Sequence, residues 1–252
     1  MEKRFAGRTA MVTGAGRGIG KYIAKSFAEN GANVVVCDYN GETAVQTAEE
    51  LKTLGVETLA AVCDVRDREA IFALVKQAEE KFGTIDFLVN NAGGSAGLLK
   101  KLTYFVDAEP STLDFVIDVN IKGTMNCTQA VLPGMIRQKY GKIISIASIA
   151  AVCGLVERVD YSAAKAAIVG MTKALAMEVG KYNICVNCVS PGAIARKGIP
   201  TDCEMTFLGE GGHSGVPKDI SDTVLFLAHH DYITGENIVV DGGRTLGTGP
   251  KR

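Results

Sequence analysis

"TGAGRGIG" occupies residues 13–20, directly after the apolar run "TAMV" and at the start of an amphipathic segment. Gly14, Gly18 and Gly20 allow a sharp turn and a close approach of the backbone to a ligand. Free N–H groups at the start of the following helix attract phosphate groups. Because a glycine pattern also suits an ordinary turn between a strand and a helix, its surroundings decide between the two interpretations.

Short β-rich runs alternate with amphipathic segments along the chain. Nearly continuous apolar strands are typical of parallel strands that are covered on both faces. The chain contains no repeat, linker or low-complexity block. The pattern therefore predicts an α/β fold with a single domain over residues 1–252, a doubly wound, seven-stranded parallel sheet with helices on both faces. The seven strand runs are "TAMVTGAG", "NVVVCD", "TLAAVCDV", "DFLVNNAG", "KIISIAS", "ICVNCVSPG" and "NIVVDGG", and the main helical segments cover residues 18–30, 42–54, 68–82, 112–140 and 161–182.

Charge and composition limit the partners that the chain is expected to have. The 27 basic and 28 acidic residues nearly balance, and no basic run appears, so neither nucleic acid nor an anionic membrane is an expected partner. The longest uncharged run, residues 143–156, is shorter than a membrane span. The N-terminus lacks the features of a signal peptide. We therefore expect a cytoplasmic protein with a small-molecule ligand.

The seven cysteines are an odd number, and most lie in apolar segments. This distribution predicts buried free thiols in a reducing compartment. Cys185 and Cys188 are close in sequence, but they lie in a strand-like run where positions i and i+3 point to opposite faces. Neither a metal site nor a redox dithiol is therefore expected.

Ligands of such sheets bind beyond the carboxyl ends of the strands, so the segments that follow strands are candidate site walls. Residues 94–111 and 193–216 follow strands and look irregular, and the second contains "GEGGHSGVP". We expect both to line the site, with residues 193–216 as a substrate loop.

Asp38 ends the second strand, 18 residues after Gly20. A carboxylate at this position accepts hydrogen bonds from both ribose hydroxyls of NAD and repels the 2′-phosphate of NADP. Arg17 argues the other way, since its guanidinium can attract that phosphate. The sequence therefore favours NAD, with NADP as the alternative.

Two further strand ends carry candidate ligand contacts. Asp64 in "CDV" is placed to accept from the adenine amino group, or alternatively to cap the following helix. "NNAG", residues 90–93, supplies amides that can tie adjacent loops together and a glycine, Gly93, that admits a close ligand. One of these two asparagines is expected to have a structural role.

"YSAAK" places Tyr161 and Lys165 four residues apart, which puts both side chains on one helix face. Ser148 leaves the fifth strand thirteen residues before Tyr161, and Asn120 lies in the long preceding helical segment. "VSPGAIA" leaves the sixth strand beside the same crevice. These residues are the candidate chemical centre.

The order of these motifs resembles the short-chain dehydrogenase/reductase family over residues 5–246. The resemblance implies a Rossmann fold, a nicotinamide cofactor and a catalytic set of Asn120, Ser148, Tyr161 and Lys165. The spacing of Tyr161 and Lys165 is similar to that of the ketone and alcohol branch rather than of the enoyl reductases. The implied cofactor contacts are Gly14, Arg17, Gly18, Ile19, Gly20, Asp38, Asp64, Val65, Asn91, Ala92, Gly93, Tyr161, Lys165, Pro191, Gly192 and Ile194.

In this chemistry Tyr161 transfers the hydroxyl proton, and the positive charge of Lys165 lowers the phenol pKa from its ordinary value near 10. Lys165 also holds the nicotinamide ribose, and Ser148 binds the substrate oxygen. Asn120 binds a water that connects Lys165 to a proton relay. The structural alternatives are a turn cap for Ser148, a backbone partner for Asn120 and a solvated side chain for Lys165.

The sequence departs from the family pattern in two places. Position 196 is Arg where many relatives have Thr, and the segment after "NNAG" is a few residues longer than usual. Arg196 either faces an acidic group of the substrate or is solvated. The substrate is thus open: a hydroxysteroid or other cyclic alcohol, or a sugar or polyol, is expected.

Two other functions stay open, a 3-oxoacyl thioester reductase using NADPH and a dinucleotide-binding sensor without turnover. The long helical segments 112–140 and 161–182 have more apolar surface than one sheet face needs. Family members usually pair such helices, so we expect a homotetramer.

Overall fold

A computed structural model describes residues 3–195, 206–208 and 213–247. Its centre is a sheet of seven parallel strands in the order β3-β2-β1-β4-β5-β6-β7. Each strand matches one of the seven predicted runs, with β5 beginning one residue before its run, so the predicted fold class is confirmed. The strands are β1 (Thr9–Thr13), β2 (Asn33–Asp38), β3 (Thr58–Val62), β4 (Phe87–Asn90), β5 (Gly141–Ile146), β6 (Ile184–Pro191) and β7 (Asn237–Val240).

Helices connect successive strands and cover both faces of the sheet. The predicted continuous helix over residues 112–140 is wrong in detail, because a π-helical turn at Asp118–Lys122 separates two α-helices. A helix after residue 216 was not predicted, although Ile220, Val224 and Leu227 form its buried stripe. The helices are α1 (Gly18–Glu29), α2 (Gly41–Lys52), α3 (Arg68–Phe82), α4 (Pro110–Ile117), α5 (Gly123–Gln138), α6 (Ala150–Cys153), α7 (Val159–Val179) and α8 (Pro217–His229).

Each face of the sheet has its own apolar core. On one face, Phe5, Phe27 and Phe87 pack together, with ring centroids between 4.8 and 5.5 Å apart. Phe27 is completely buried, and truncating such a side chain typically costs about 3–5 kcal/mol of stability. On the other face, α3 and α5 pack over Met11 and the central strands. The two cores pack against opposite faces of β1 and β4, and the glycine loop and "NNAG" follow these strands.

Six of the seven cysteines lie in the described part of the chain, and all six are free thiols. Five of them are buried, but Cys153 is exposed on α6, so the expectation of buried thiols is wrong for this residue. Cys203 lies outside the described residues. Cys185 contacts Lys142, whereas Cys188 contacts Asn237, so these two thiols have different neighbours.

The described residues contain no group of three or more His, Cys, Asp and Glu side chains that is able to hold a metal ion. None of the helices in these ranges combines the length and the apolar character that crossing a membrane requires.

Candidate active site

The glycine loop lies at the carboxyl end of β1 and is tied to the neighbouring strand. Asn91 donates from Nδ2 to the carbonyl oxygens of Thr13 and Gly14, at 2.9 and 3.1 Å. Gly14 has φ +62°, which favours glycine, and a Cβ on Gly20 would overlap the carbonyl oxygen of Gly14. The loop therefore closes tightly only with glycine at these positions.

The start of α1 fits a phosphate group. Arg17, the residue that precedes α1, makes no capping hydrogen bond with its side chain, and the first turn contains no acidic residue. The first N–H groups of a helix have no partner within the helix, and they carry partial positive charge. Gly18 next to them has no atom within 4 Å of a built Cβ, so this side of the loop is open. These features match the pyrophosphate of a dinucleotide.

Asp38 is the buried acid of the cofactor end, with 5% of its surface exposed. Its Oδ2 accepts from the backbone N–H of Gly16 at 2.8 Å, and its Oδ1 accepts from that of Asn40 at 3.0 Å. An ionised carboxylate accepts about four hydrogen bonds, so it can still accept from two ribose hydroxyls. The residues present therefore fit the adenosine ribose.

Gly16 is a site residue that the sequence analysis did not single out. A Cβ on this residue would overlap the Thr43 hydroxyl and would lie 2.9 Å from Oδ2 of Asp38. Thr47 further fixes the loop by donating to the carbonyl oxygen of Gly16. The position of Gly16 within the glycine loop was the sequence signal that could have identified it. Its contact with Asp38 is visible only in the folded chain.

Asp64 lies two residues beyond β3 and is engaged by Arg66. The guanidinium of Arg66 donates to both carboxylate oxygens, at 2.6 to 3.0 Å, and these hydrogen bonds hold the pKa of Asp64 below its usual range. The alternative of a helix cap is wrong, because Asp67 caps α3 by accepting from Ala70. The contact of Asp64 with adenine stays a prediction. Val65, the next residue and also a predicted cofactor contact, is buried.

"NNAG" at the end of β4 has a structural role in both asparagines. Asn90 is buried and donates to Thr128 and Ser145, while Asn91 holds the glycine loop. Thr13 completes the tie, since its hydroxyl accepts from the N–H groups of Asn91 and Ala92. The sequence analysis did not identify this role of Thr13.

Lys165 is buried at the carboxyl end of β5, with 5% of its surface exposed. Its Nζ donates to the carbonyl oxygen of Ile146 at 2.7 Å, so the alternative of a solvated lysine is wrong. Burial lowers the pKa of Lys165 to about 8, because desolvation disfavours the charged form. A Cβ on Gly93 would lie 3.3 Å from this Nζ, so the glycine keeps the space beside the ammonium open.

Tyr161 and Ser148 lie near the same strand end. Nζ of Lys165 is 5.6 Å from the centre of the Tyr161 ring, as the spacing of four residues on α7 predicts. Ser148 is 8% exposed, and its Oγ accepts from the backbone N–H of Ala150 at 3.1 Å. Ser148 therefore does cap a turn, and its hydroxyl proton stays available for another acceptor.

Asn120 lies in the π-helical turn and is completely buried. Its Nδ2 donates to the carbonyl oxygens of Gly94 and Val116, both at 2.8 Å, and its Oδ1 accepts from Gly94. Asn120 thus fixes the start of the loop after β4, in agreement with the alternative of a backbone partner. Its water-binding role stays a prediction.

The segment after β6 is hydrogen-bonded to β7 and to the segment after β5. The N–H of Gly192 donates to Val240 at 2.9 Å, and the carbonyl oxygen of Pro191 accepts from Ile149 at 3.1 Å. Ile194 forms an isolated β-bridge with Gly215. The predicted substrate loop, residues 193–216, is described at residues 193–195, 206–208 and 213–216, and Arg196 lies outside the described residues.

Residues 8–200 match the family model described as short chain dehydrogenase. The chain belongs to this family. The predicted resemblance is therefore confirmed, and the protein is an oxidoreductase of the short chain dehydrogenase family.

Individual members of the short chain dehydrogenase family match over nearly the whole chain. The protein is 43% identical over 250 residues to the (2S)-[(R)-hydroxy(phenyl)methyl]succinyl-CoA dehydrogenase subunit BbsD of Thauera aromatica. The aligned residues cover 96% of this chain and 98% of the relative. A 7α-hydroxysteroid dehydrogenase with NADH and 7-oxoglycochenodeoxycholic acid is 33% identical, with a TM-score of 0.87 and 96% of each chain covered. A 3-oxoacyl-[acyl-carrier protein] reductase of Brucella melitensis with bound NAD is 34% identical, with a TM-score of 0.88 and coverages of 96% and 92%.

Proposed function

We propose that this protein interconverts a secondary alcohol and a ketone with NAD as the cofactor. The observation that carries the proposal is the buried Lys165 ammonium, which is held by Ile146 beside the ring of Tyr161. Burying a cation without an opposite charge costs free energy, so a lysine in such a position indicates a function. Here the ammonium lies 5.6 Å from the centre of a phenol ring. Perturbed groups in a crevice at the carboxyl edge of a parallel sheet favour a catalytic role.

The residues divide the chemistry as follows. When bound at the glycine loop and Asp38, NAD would supply the hydride acceptor for oxidation, and NADH the hydride donor for reduction. Tyr161 takes the proton of the alcohol or gives it back to the ketone oxygen, and the charge of Lys165 favours the phenolate. Ser148 donates to the substrate oxygen as negative charge develops on it. Asn120 acts as a positioning residue, because it holds Gly94 at the cleft.

Asp38 supports NAD over NADP. Its carboxylate is buried beside Gly16, and a 2′-phosphate would meet it at close range. Arg17 is exposed and is the residue that argues for NADP. Two of the similar structures contain NADH and NAD. We therefore assign NAD, and the assignment depends mainly on Asp38.

The loop after β4 supports a substrate with a sizeable apolar part. Leu98, Leu102, Tyr104, Phe105 and Val106 expose between 40% and 89% of their surface in this loop. Such a concentration of exposed apolar side chains is unusual without a function. It favours a hydroxysteroid, another cyclic alcohol or an aryl-substituted substrate, and it argues against a sugar or polyol.

A second candidate is the reduction of a 3-oxoacyl thioester. The names of two similar proteins favour it, since one is a succinyl-CoA dehydrogenase subunit and the other a 3-oxoacyl-[acyl-carrier protein] reductase. A secondary alcohol next to an acyl thioester meets the same Tyr161 and Ser148. The use of NADPH by such a reductase conflicts with Asp38, whose carboxylate would repel the 2′-phosphate.

The test follows NADH absorbance with a ketosteroid, a 3-oxoacyl-CoA and a keto-sugar, each also with NADPH. We expect NADH-dependent reduction of at least one of the first two substrates and a preference for NADH. Binding of NADH with no turnover across the panel would favour the sensor without catalysis. Preference for NADPH would overturn the cofactor assignment.

A further inference from the structure

We propose that Arg158 is the anion anchor of the substrate cleft, and that the substrate carries a carboxylate near its reacting carbon. This inference rests on the proposed function and names the chemical class of its substrate. The carboxylate is a feature in addition to the alcohol or ketone and the apolar part.

Arg158 joins the two walls of the cleft. It directly precedes α7, and its carbonyl oxygen accepts the first helical hydrogen bond from Ser162 at 2.8 Å. Tyr161 follows three residues later, within the first turn. Nη1 of Arg158 donates across the gap to Oγ of Ser95 at 3.3 Å. Ser95 lies two residues after Gly93, the glycine that borders Lys165, so the guanidinium reaches the segment that borders the chemical centre.

The guanidinium has capacity for an anion. Within residues 3–195, 206–208 and 213–247, the one hydrogen bond that its side chain makes is to Ser95, and it forms no ion pair. The carboxylate of the neighbouring Asp160 instead accepts from the backbone N–H of Tyr161 at 2.7 Å. On the loop after β4, Lys101 is already paired with Glu109 at 2.6 Å. A guanidinium has five donors in a planar fork that matches a carboxylate, so Arg158 is suited to this ligand.

Exposed apolar side chains lie near Arg158 in sequence, together with two acidic residues, Glu157 and Asp160. Val156, two residues before it, and Val159, one residue after it, expose 77% and 49% of their surface. Leu98 and Phe105 of the opposite loop expose 51% and 55%. A partly buried cation between apolar walls selects a ligand with an apolar body and one negative group. A carboxylate is recognised here through charge-assisted hydrogen bonds, which are stronger than those between neutral groups.

The test compares benzoylpropionate, an aryl ketone with a carboxylate, with its methyl ester. Isothermal titration calorimetry measures the binding of each to the enzyme with NADH bound, and NADH absorbance measures turnover separately. We expect the acid to bind about ten-fold more tightly than the ester, which is the scale of one charge-assisted pair. Arg158→Gln should remove this preference by weakening the acid alone, and Arg158→Lys should keep part of it.

Lys100→Gln is the matched control, since it removes a charge from the opposite loop and should leave the preference intact. Far-UV circular dichroism and NADH affinity show whether each variant folds. If Arg158→Gln does not fold, the inference is tested by the preference for the acid in Arg158→Lys. Equal affinities, no binding of the acid, or a preference that survives in Arg158→Gln would overturn the inference. If the acid binds more tightly but is not reduced, the anchor is supported and the proposed function is not. If acid and ester bind and are reduced equally well, the proposed function is supported and the anchor is not.

Discussion

Lys165 donates from Nζ to the carbonyl oxygen of Ile146 at 2.7 Å, so a charged side chain on α7 is held at the buried end of β5. This hydrogen bond aims the ammonium at the space that Gly93 leaves open. It also explains why a lysine is tolerated in a nearly dry position. The strand end, the glycine and the helix together position the charge beside Tyr161.

The stability of the chain without cofactor should depend on pH through Lys165. Its pKa is about 8 in the folded chain and 10.5 in its ordinary state. Between these values the unfolded chain binds more protons, so the free energy of unfolding rises with pH. Relative to Lys165→Met, we expect the wild type to gain about 3 kcal/mol between about pH 7.5 and about pH 10.5. Urea denaturation at several pH values measures this difference, and parallel pH curves for the two proteins would contradict the burial argument.

Asp38→Ala should relax the discrimination against NADP. The variant removes a buried carboxylate that would face the 2′-phosphate, and like charges at close range cost several kcal/mol. We expect the ratio of kcat/KM for NADH over NADPH to fall about 100-fold or more, mainly through better use of NADPH. Asp222→Asn on α8 is the control, since its carboxylate pairs with Lys218 rather than with the glycine loop. An unchanged ratio in Asp38→Ala would rule out Asp38 as the selecting residue.

The expected homotetramer should depend on a groove between α5 and α7. Met125, Leu132, Met171 and Leu175 line this groove, together with Ala174. A charge in an apolar interface is costly when it has no partner, so Ala174→Glu should lower the molar mass in multi-angle light scattering. Gln77→Glu on the exposed side of α3 is the control and should leave the mass unchanged. A wild type that is already a monomer would refute the assembly.

The seven strands and the glycine turn could be predicted because they depend on local patterns. Apolar runs and turn residues mark the strands, and Asp38 was predictable from its distance to Gly20. Spacing on a helix likewise placed Lys165 on the same face as Tyr161. These features need no knowledge of what packs against them.

Other features depend on contacts between distant segments. The π-helical turn at Asn120 accompanies hydrogen bonds to Gly94, 26 residues away, and no local pattern announces it. Lys165 was open to a solvated interpretation because its acceptor, Ile146, belongs to another element. Arg158 has no motif of its own, and its position is visible only through Ser95.

The central claim is that Tyr161 moves the proton that accompanies hydride transfer. Once a substrate has been found in the panel, the most direct measurement is the rate of NADH oxidation by Tyr161→Phe, with Tyr232→Phe as the control at a fully exposed tyrosine. We predict that kcat falls by about 100-fold or more in Tyr161→Phe, that NADH affinity changes little, and that the control keeps wild-type activity. Equal kcat in Tyr161→Phe and the wild type would contradict the account.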